Sequence, residues 1–334
     1  MTKQKALFWE KENNAVRCEL CPHHCLIREG QAGLCRVRVN IDGELFSTVY
    51  GIPSALQVDP IEKKPLYHFL PGTRTFSIGT QGCNLFCIFC QNWHLSAETG
   101  HHTTRFEPED IVNKARESAC RSIAFTYNEP LVFSEYALDI QEHAEKAGIP
   151  CVFITNGYAS ETARKEVLSR MQAVNIDLKA FTDEVYKTYT GGSLQPVLDT
   201  IEYCANRGIH TEITTLIIPG VNDSEATIEK ECEWIIKHCG KDVPLHISAF
   251  HPDYKMKDHP MTSRRPSAAQ KQRQKNADYG MSTWGIIRGL TITPIAAAAV
   301  KRSLTVIPIL SGYIKTINTK YPLSGAFHEI QPIP

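Results

Sequence analysis

Six short runs of apolar and β-branched residues alternate with helical patterns between Thr75 and Phe250, and this alternation most limits what the chain can fold into. The runs are Phe76 to Gly79, Ser122 to Thr126, Cys151 to Thr155, Val174 to Leu178, Thr211 to Ile218 and Leu245 to Phe250. Helical stretches fall around Pro108 to Cys120, Phe133 to Ala147, Glu161 to Met171, Pro196 to Asn206 and Ser224 to His238. A strand followed by a crossover helix, repeated, builds a parallel sheet, so the fold class is α/β. Gly148 and Gly208 stand where helices would end, and Pro108 and Pro130 where a first-turn proline is tolerated.

Nearly every distinctive polar motif follows the C-terminal end of a run, which is the active-site face of a barrel of βα units. Three cysteines follow the first run, Tyr127-Asn128-Glu129-Pro130 the second and Thr155-Asn156-Gly157 the third. Asp177-Leu178-Lys179 closes the fourth, Pro219-Gly220-Val221-Asn222-Asp223 the fifth and His251-Pro252 the sixth. Each has a plain structural alternative. Glu129-Pro130 can simply open a helix, with the carboxylate near the positive end of its dipole. Thr155-Asn156-Gly157 can be an ordinary turn. Asp177 and Lys179 can pair at the surface, although a charge on a strand covered by helices needs a reason. His246 and His251 can be satisfied core or loop histidines.

Cys83-x3-Cys87-x2-Cys90 supplies three thiolates, enough for three irons of a [4Fe–4S] cluster, with the fourth iron left open. Phe86, Ile88 and Phe89 are expected to pack around such a cluster and keep water away. Structural zinc would need a fourth ligand, for which His94 is the nearby candidate. A second set, Cys18-x2-Cys21-x3-Cys25-x9-Cys35, offers four thiolates within eighteen residues. Zinc or a second iron–sulfur cluster would suit it, in a small Cys-rich metal-binding module ahead of the barrel, with Gly30 and Gly33 letting the loop turn back.

The C-x3-C-x2-C set, placed after the first strand of a βα series, resembles the radical S-adenosylmethionine (radical SAM) superfamily. That resemblance implies an open, partial (β/α)6 TIM-type barrel. It also implies S-adenosylmethionine held at the open iron and cleaved reductively to methionine and a 5′-deoxyadenosyl radical that abstracts hydrogen. By the same resemblance Glu129 would receive the cofactor amino group, with Tyr127-Asn128 standing where the family has two glycines. Asn156 would line the cofactor wall, and Lys179 would neutralise the cofactor carboxylate with Asp177 orienting it or holding a cation. His251 would meet the ribose, and His246 would point into the barrel on the substrate side. Residues 18 to 262 are similar to the pyruvate formate-lyase activating-enzyme branch, and most closely to the radical SAM member of the AmmeMemoRadiSam system. Cys18 to Cys25, Asp59 to Leu66, His68 to Gly72 and His251 to Lys255 carry that closer likeness. The implied partners are a flavodoxin- or ferredoxin-like electron donor and either Memo-like proteins or a glycyl-radical-type substrate enzyme.

Composition bounds the alternatives. With 334 residues and 42% hydrophobic content the chain can bury a real core. No apolar run reaches the roughly 20 residues of a membrane helix, and the first sixteen residues are charged rather than signal-like, so a cytoplasmic protein is expected. Seven of twelve cysteines lie in the two metal-type sets, which fits a reducing, oxygen-poor setting better than disulfides. From His259 onward ten basic residues face two acidic ones, against twenty-six and thirty-four before it. An acidic body gives no electrostatic reason to bind nucleic acid. The chain thus divides into a Cys-rich module and lead-in at 1–70, a barrel at 71–262 and an atypical basic tail at 263–334, which is either a frameshifted ending or a true appendage. The rival to an enzyme is a non-catalytic iron–sulfur or zinc protein that carries electrons or acts as a scaffold.

Overall fold

The computed structural model describes residues 4–98 and 104–262, so the expected basic tail lies outside the described residues. The chain opens with two three-stranded antiparallel sheets. Strands β1 (Gln4–Lys5), β5 (Arg38–Ile41) and β6 (Glu44–Ser47) form one, in the order β1-β6-β5, and β2 (Trp9–Glu12), β3 (Ala15–Cys18) and β4 (Leu26–Arg28) form the other. Val16, Leu20, Ile27 and Leu45 make a small core between them.

The main sheet has seven strands. Strand β7 (Ala55–Pro60) pairs antiparallel with β8 (Arg74–Gly79), and β9 (Ser122–Phe125), β10 (Cys151–Thr155), β11 (Ala173–Asp177), β12 (His210–Ile217) and β13 (Leu245–Ala249) follow in parallel. The spatial order β13-β12-β11-β10-β9-β8-β7 is the sequence order reversed, so each connection crosses to the next strand, as in a barrel left open. All six expected strands are present, with ends shifted by one or two residues. The partial (β/α)6 barrel is therefore the observed fold, with β7 added at its edge.

The crossover helices start and stop for local reasons. Helix α2 (Pro108–Glu117) begins on a capping box between Glu107 and Asp110 with Pro108 in its first turn. Helix α3 (Ser134–Lys146) follows a 3₁₀ turn, Pro130–Phe133, and its chain leaves through Gly148 at φ 68°. Ser160 caps α4 (Glu161–Val167) and Ser224 caps α7 (Glu225–Cys239), while α6 (Gln195–Asn206) carries Pro196 in its first turn and is followed by Gly208 at φ 74°. Two short helices, α1 (Trp93–Ser96) and α5 (Asp183–Val185), flank the strand-end loops. The helices and the outer face of the sheet bury one continuous core, in which Phe125 meets Phe153 edge-on at 5.4 Å. Among the described residues no helix is long and apolar enough to cross a membrane.

The segment from Ile61 to Phe69 fills the N-terminal mouth of the barrel. Ile61 and Leu66 pack on Ala124, Val152 and Ala173. The Pro65 carbonyl accepts a hydrogen bond from Asn175 (2.9 Å), and the Tyr67 and His68 amides donate to the buried Glu212 carboxylate (3.0 and 2.8 Å). His246 belongs to this floor. Its Nε2 lies 2.6 Å from Glu212, at the start of β13 and away from the strand ends that bear the cysteines. The expectation that His246 faces substrate is thus corrected, because the buried carboxylate on the neighbouring strand takes it first.

Candidate active site

Strand β8 ends at Gly79, and Thr80–Gly82 lead into the loop that carries Cys83, Cys87 and Cys90. Asn128 ties the two segments together. Its Oδ1 accepts from the Thr80 amide (3.0 Å), and its Nδ2 reaches Thr80 Oγ1 (3.2 Å) and the carbonyls of Gln81 (3.1 Å) and Gly82 (2.8 Å). A Cβ at Gly79 would lie 2.7 Å from the Thr126 carbonyl, so glycine is what lets β9's continuation approach. Tyr127 sits at φ 72°, the left-handed geometry that glycine favours, and so follows the backbone path with a side chain attached. Its hydroxyl donates to Asp59 (2.7 Å), and the buried Lys64 ammonium lies over its ring at 4.3 Å.

The cysteine loop is clamped from two further sides. The Phe86 and Ile88 amides donate to the Thr190 and Tyr189 carbonyls (2.7 and 3.0 Å), in a π-helical turn, Tyr186–Thr190, that follows α5. The Lys255 amide donates to the Ile88 carbonyl (3.0 Å), and Tyr254 stacks on Trp93 at 5.4 Å. Phe89 is buried with Ile218, Phe250 and Met256, whereas Phe86 is exposed and packs on Gly191, so only part of the expected apolar shell forms.

The three half-buried thiols act on one another. Burial pushes Cys83 well above the usual thiol range, and the nearby Glu129, Cys87 and Cys90 push it further. Burial likewise raises Cys87 to about 12, against the pull of the Lys179 ammonium. Donors already face Cys83 Sγ, the Leu85 amide at 3.4 Å and the Asn156 amide nitrogen at 3.8 Å, while the Cys90 thiol donates to Ser96 Oγ at 3.7 Å. Iron would convert such thiols to thiolates, and the donor set fits an iron–sulfur cluster. Among the described residues no three His, Cys, Asp or Glu side chains converge as one metal ion would require, and His94 is exposed.

The other expected residues line the same face with unequal freedom. Glu129 is buried, with Oε1 accepting from the Leu131 amide (3.0 Å) and Thr155 (2.7 Å) and Oε2 from the Asn156 amide (2.7 Å). Burial raises its carboxyl to about 7, against these three donors. It caps the 3₁₀ turn and holds Asn156, whose Nδ2 also donates to Asn84 Oδ1 (2.9 Å). Lys179 donates to Asp177 (2.7 Å); burial alone would lower its pKa, but Asp177 and Cys87 hold it above the usual lysine range. His251 is exposed at the mouth, with Nδ1 3.4 Å from the Pro252 carbonyl. Sequence reasoning missed Asn128 and Asn84 and the two clamps. The Asn beside Glu-Pro and the Gly191-Gly192 pair after the π turn were the available signals.

In the N-terminal set Cys18, Cys21 and Cys35 are buried and Cys25 half-buried, and the Cys18 amide donates to the Cys25 carbonyl (3.0 Å).

The barrel and its strand-end cysteines define the class, and the sequence comparisons agree. The family model described as the radical SAM superfamily matches residues 77–231. An uncharacterized protein of Methanocaldococcus jannaschii is 41% identical over 262 residues, 78% of each chain. The chain belongs to the radical SAM superfamily and is a radical SAM enzyme. It is also similar to the pyruvate formate-lyase-activating enzyme of Clostridium pasteurianum, at 27% identity over 56% of this chain and 84% of that one. A domain of the pyruvate-formate lyase-activating enzyme from Bacteroides vulgatus superposes with a TM-score of 0.35, at 24% identity, over 46% of this chain and 89% of that domain.

Proposed function

We propose that Cys83, Cys87 and Cys90 hold a [4Fe–4S] cluster and that the chain cleaves S-adenosylmethionine to abstract hydrogen from a protein or small-molecule substrate. The observation that carries this reading is the three-cysteine loop at the end of β8, clamped by the π-helical turn and the Lys255 amide, with the Lys179 ammonium acting on Cys87. Cluster and cofactor, when bound, supply the electron and the 5′-deoxyadenosyl radical. The chain's own residues supply position and charge. Lys179 would balance the cofactor carboxylate, with Asp177 fixing its ammonium. Asn156 is held by Glu129 against Cys83 and forms the cofactor wall. Glu129 acts through that bond, with three protein donors already on its carboxylate, and exposed His251 would meet the cofactor ribose.

The likeness to pyruvate formate-lyase-activating enzymes supports a glycyl-radical-type enzyme as substrate and a flavodoxin- or ferredoxin-like donor in the cytoplasm. The narrower likeness to the AmmeMemoRadiSam member would add Memo-like partners. Of its stretches, Asp59 and Lys64 are spent on barrel packing, where Asp59 also binds Lys63 (2.7 Å).

Anaerobic reconstitution, dithionite reduction and an assay of 5′-deoxyadenosine test this directly. Native chain should form it, Cys87→Ala should not, and Lys179→Met should raise the S-adenosylmethionine KM about 10- to 100-fold, the range of one charge-assisted hydrogen bond. No product from a chain with its cluster fully loaded would return the reading to an electron carrier or scaffold.

A further inference from the structure

The four N-terminal cysteines form a built site of their own. Cys18 acts electrostatically on each of the other three. Backbone N–H groups face three of the sulfurs, His23 at Cys21, Leu34 at Cys25, and Val37 and Arg38 at Cys35. Two of these arrangements require unusual backbone. His24 lies at φ 43° and Arg36 at φ 70°, and the left-handed residue after Cys35 turns the next two amides back toward its sulfur. Successive amides aimed this way form an anion-binding concavity of the kind that surrounds iron–sulfur centres, and such strained non-glycine geometry persists where function holds it.

A buried cation stands beside this group. Arg38 is fully buried, donates to the Leu7 carbonyl (2.8 Å) and to Glu135, and interacts with Cys18 and Cys35. Its Nε has no hydrogen-bond partner among the described residues. A buried guanidinium of this kind would offset the negative charge that four thiolates bring to a cluster.

The set lies directly against the loop of the first cysteines. A Cβ at Gly82, the residue before Cys83, would be 2.5 Å from the Cys35 carbonyl oxygen. His23 Nε2 lies 2.8 Å from the Asn84 carbonyl, and its ring contacts Tyr158 at 5.1 Å and Phe86 at 6.0 Å. With a step of about 3.8 Å between α-carbons, Cys35 and Cys83 are within roughly 10 Å of each other.

We propose that Cys18, Cys21, Cys25 and Cys35 hold a second [4Fe–4S] cluster, ligated by four protein thiolates and packed against the loop that holds the first. Four thiolates leave no iron open, so this centre binds no S-adenosylmethionine.

The full chain, reconstituted anaerobically with iron and sulfide, should carry about eight of each, against about four for a single cluster. The Cys83→Ala/Cys87→Ala/Cys90→Ala variant should keep about half, with an EPR signal on reduction that S-adenosylmethionine leaves unchanged. The milder Cys25→Ser, at the half-buried position, should lose the other half and keep the signal that responds to the cofactor. One zinc and about four irons in the native chain, or a triple variant with native circular dichroism and no iron, would overturn the proposal. Should Cys25→Ser fail to fold, the native count and the triple variant still decide, and neither depends on cofactor cleavage.

Discussion

Asn128 offers a sharp test of how the first cysteine loop is held. Its side chain is buried and fully used, with one acceptor contact and two N–H groups shared among three oxygens. Truncation to alanine removes about three full hydrogen bonds, each contributing roughly 1 kcal/mol net, and leaves the Thr80 amide and the Gly82 carbonyl buried and unpaired. The sum is about 3–5 kcal/mol, at the upper end for a single substitution. Asn128→Asp keeps the acceptor for Thr80 but turns a carboxylate oxygen toward two carbonyls, so above about pH 5 it should cost at least as much as alanine. Because Thr80–Gly82 run straight into Cys83, iron uptake should fall along with stability. Anaerobic urea unfolding of the iron-free chain reads the first effect, and iron per chain after reconstitution reads the second. A cost below about 1 kcal/mol with full iron for Asn128→Ala, or a milder effect for Asp than for Ala, would refute the argument.

Two further outcomes follow from the packing. Gly82→Ala should unfold at lower urea by about 1–3 kcal/mol, because its Cβ would meet the Cys35 carbonyl at 2.5 Å and Val37 at 2.8 Å, at a φ of 84° that disfavours any side chain; unfolding curves unchanged from native would exclude the contact. Burial alone would raise the Glu212 carboxyl, but hydrogen bonds from His210 and His246 and the Tyr67 and His68 amides outweigh it and hold the group down to about 2. A depressed acid stabilises the fold above its unfolded pKa and loses that contribution as pH falls through the folded value. Between roughly pH 4 and pH 2 the native chain should therefore lose about 2 kcal/mol more than a Glu212→Gln variant in unfolding titrations; equal slopes would show that the floor does not depend on this charge.

The barrel was legible because strands β8 to β11 are buried on both faces, so each reads as a short apolar run whatever its neighbours are. The N-terminal strands were not. They are two to four residues long and carry charges, as Trp9–Glu12 and Leu26–Arg28 do, so neither alternation nor composition marks them. Strand β7 was hidden by Asp59 and Pro60, which read as a turn. Lys63-Lys64 reads as surface charge, yet Lys64 is buried because Asp59, five residues back, and Tyr127, far along the chain, both receive it.

The same limit shaped the candidate site. Cysteine spacing is local, so both sets could be read directly. Whether a polar residue is spent on an internal partner depends on segments far away in sequence. Glu129 is claimed by Thr155 and Asn156, 26 and 27 residues on, and His246 by Glu212, 34 residues earlier. Position at a strand end therefore nominates a residue, and the state of its hydrogen bonds decides between direct contact and support. By that criterion Glu129 and Asn128 support the loop. Lys179, whose ammonium pairs among the described residues with its neighbour Asp177 alone and faces Cys87, and exposed His251 retain the capacity to meet a ligand. Substitutions at the first pair should lower iron content, and those at the second should weaken cofactor binding in a fully loaded chain.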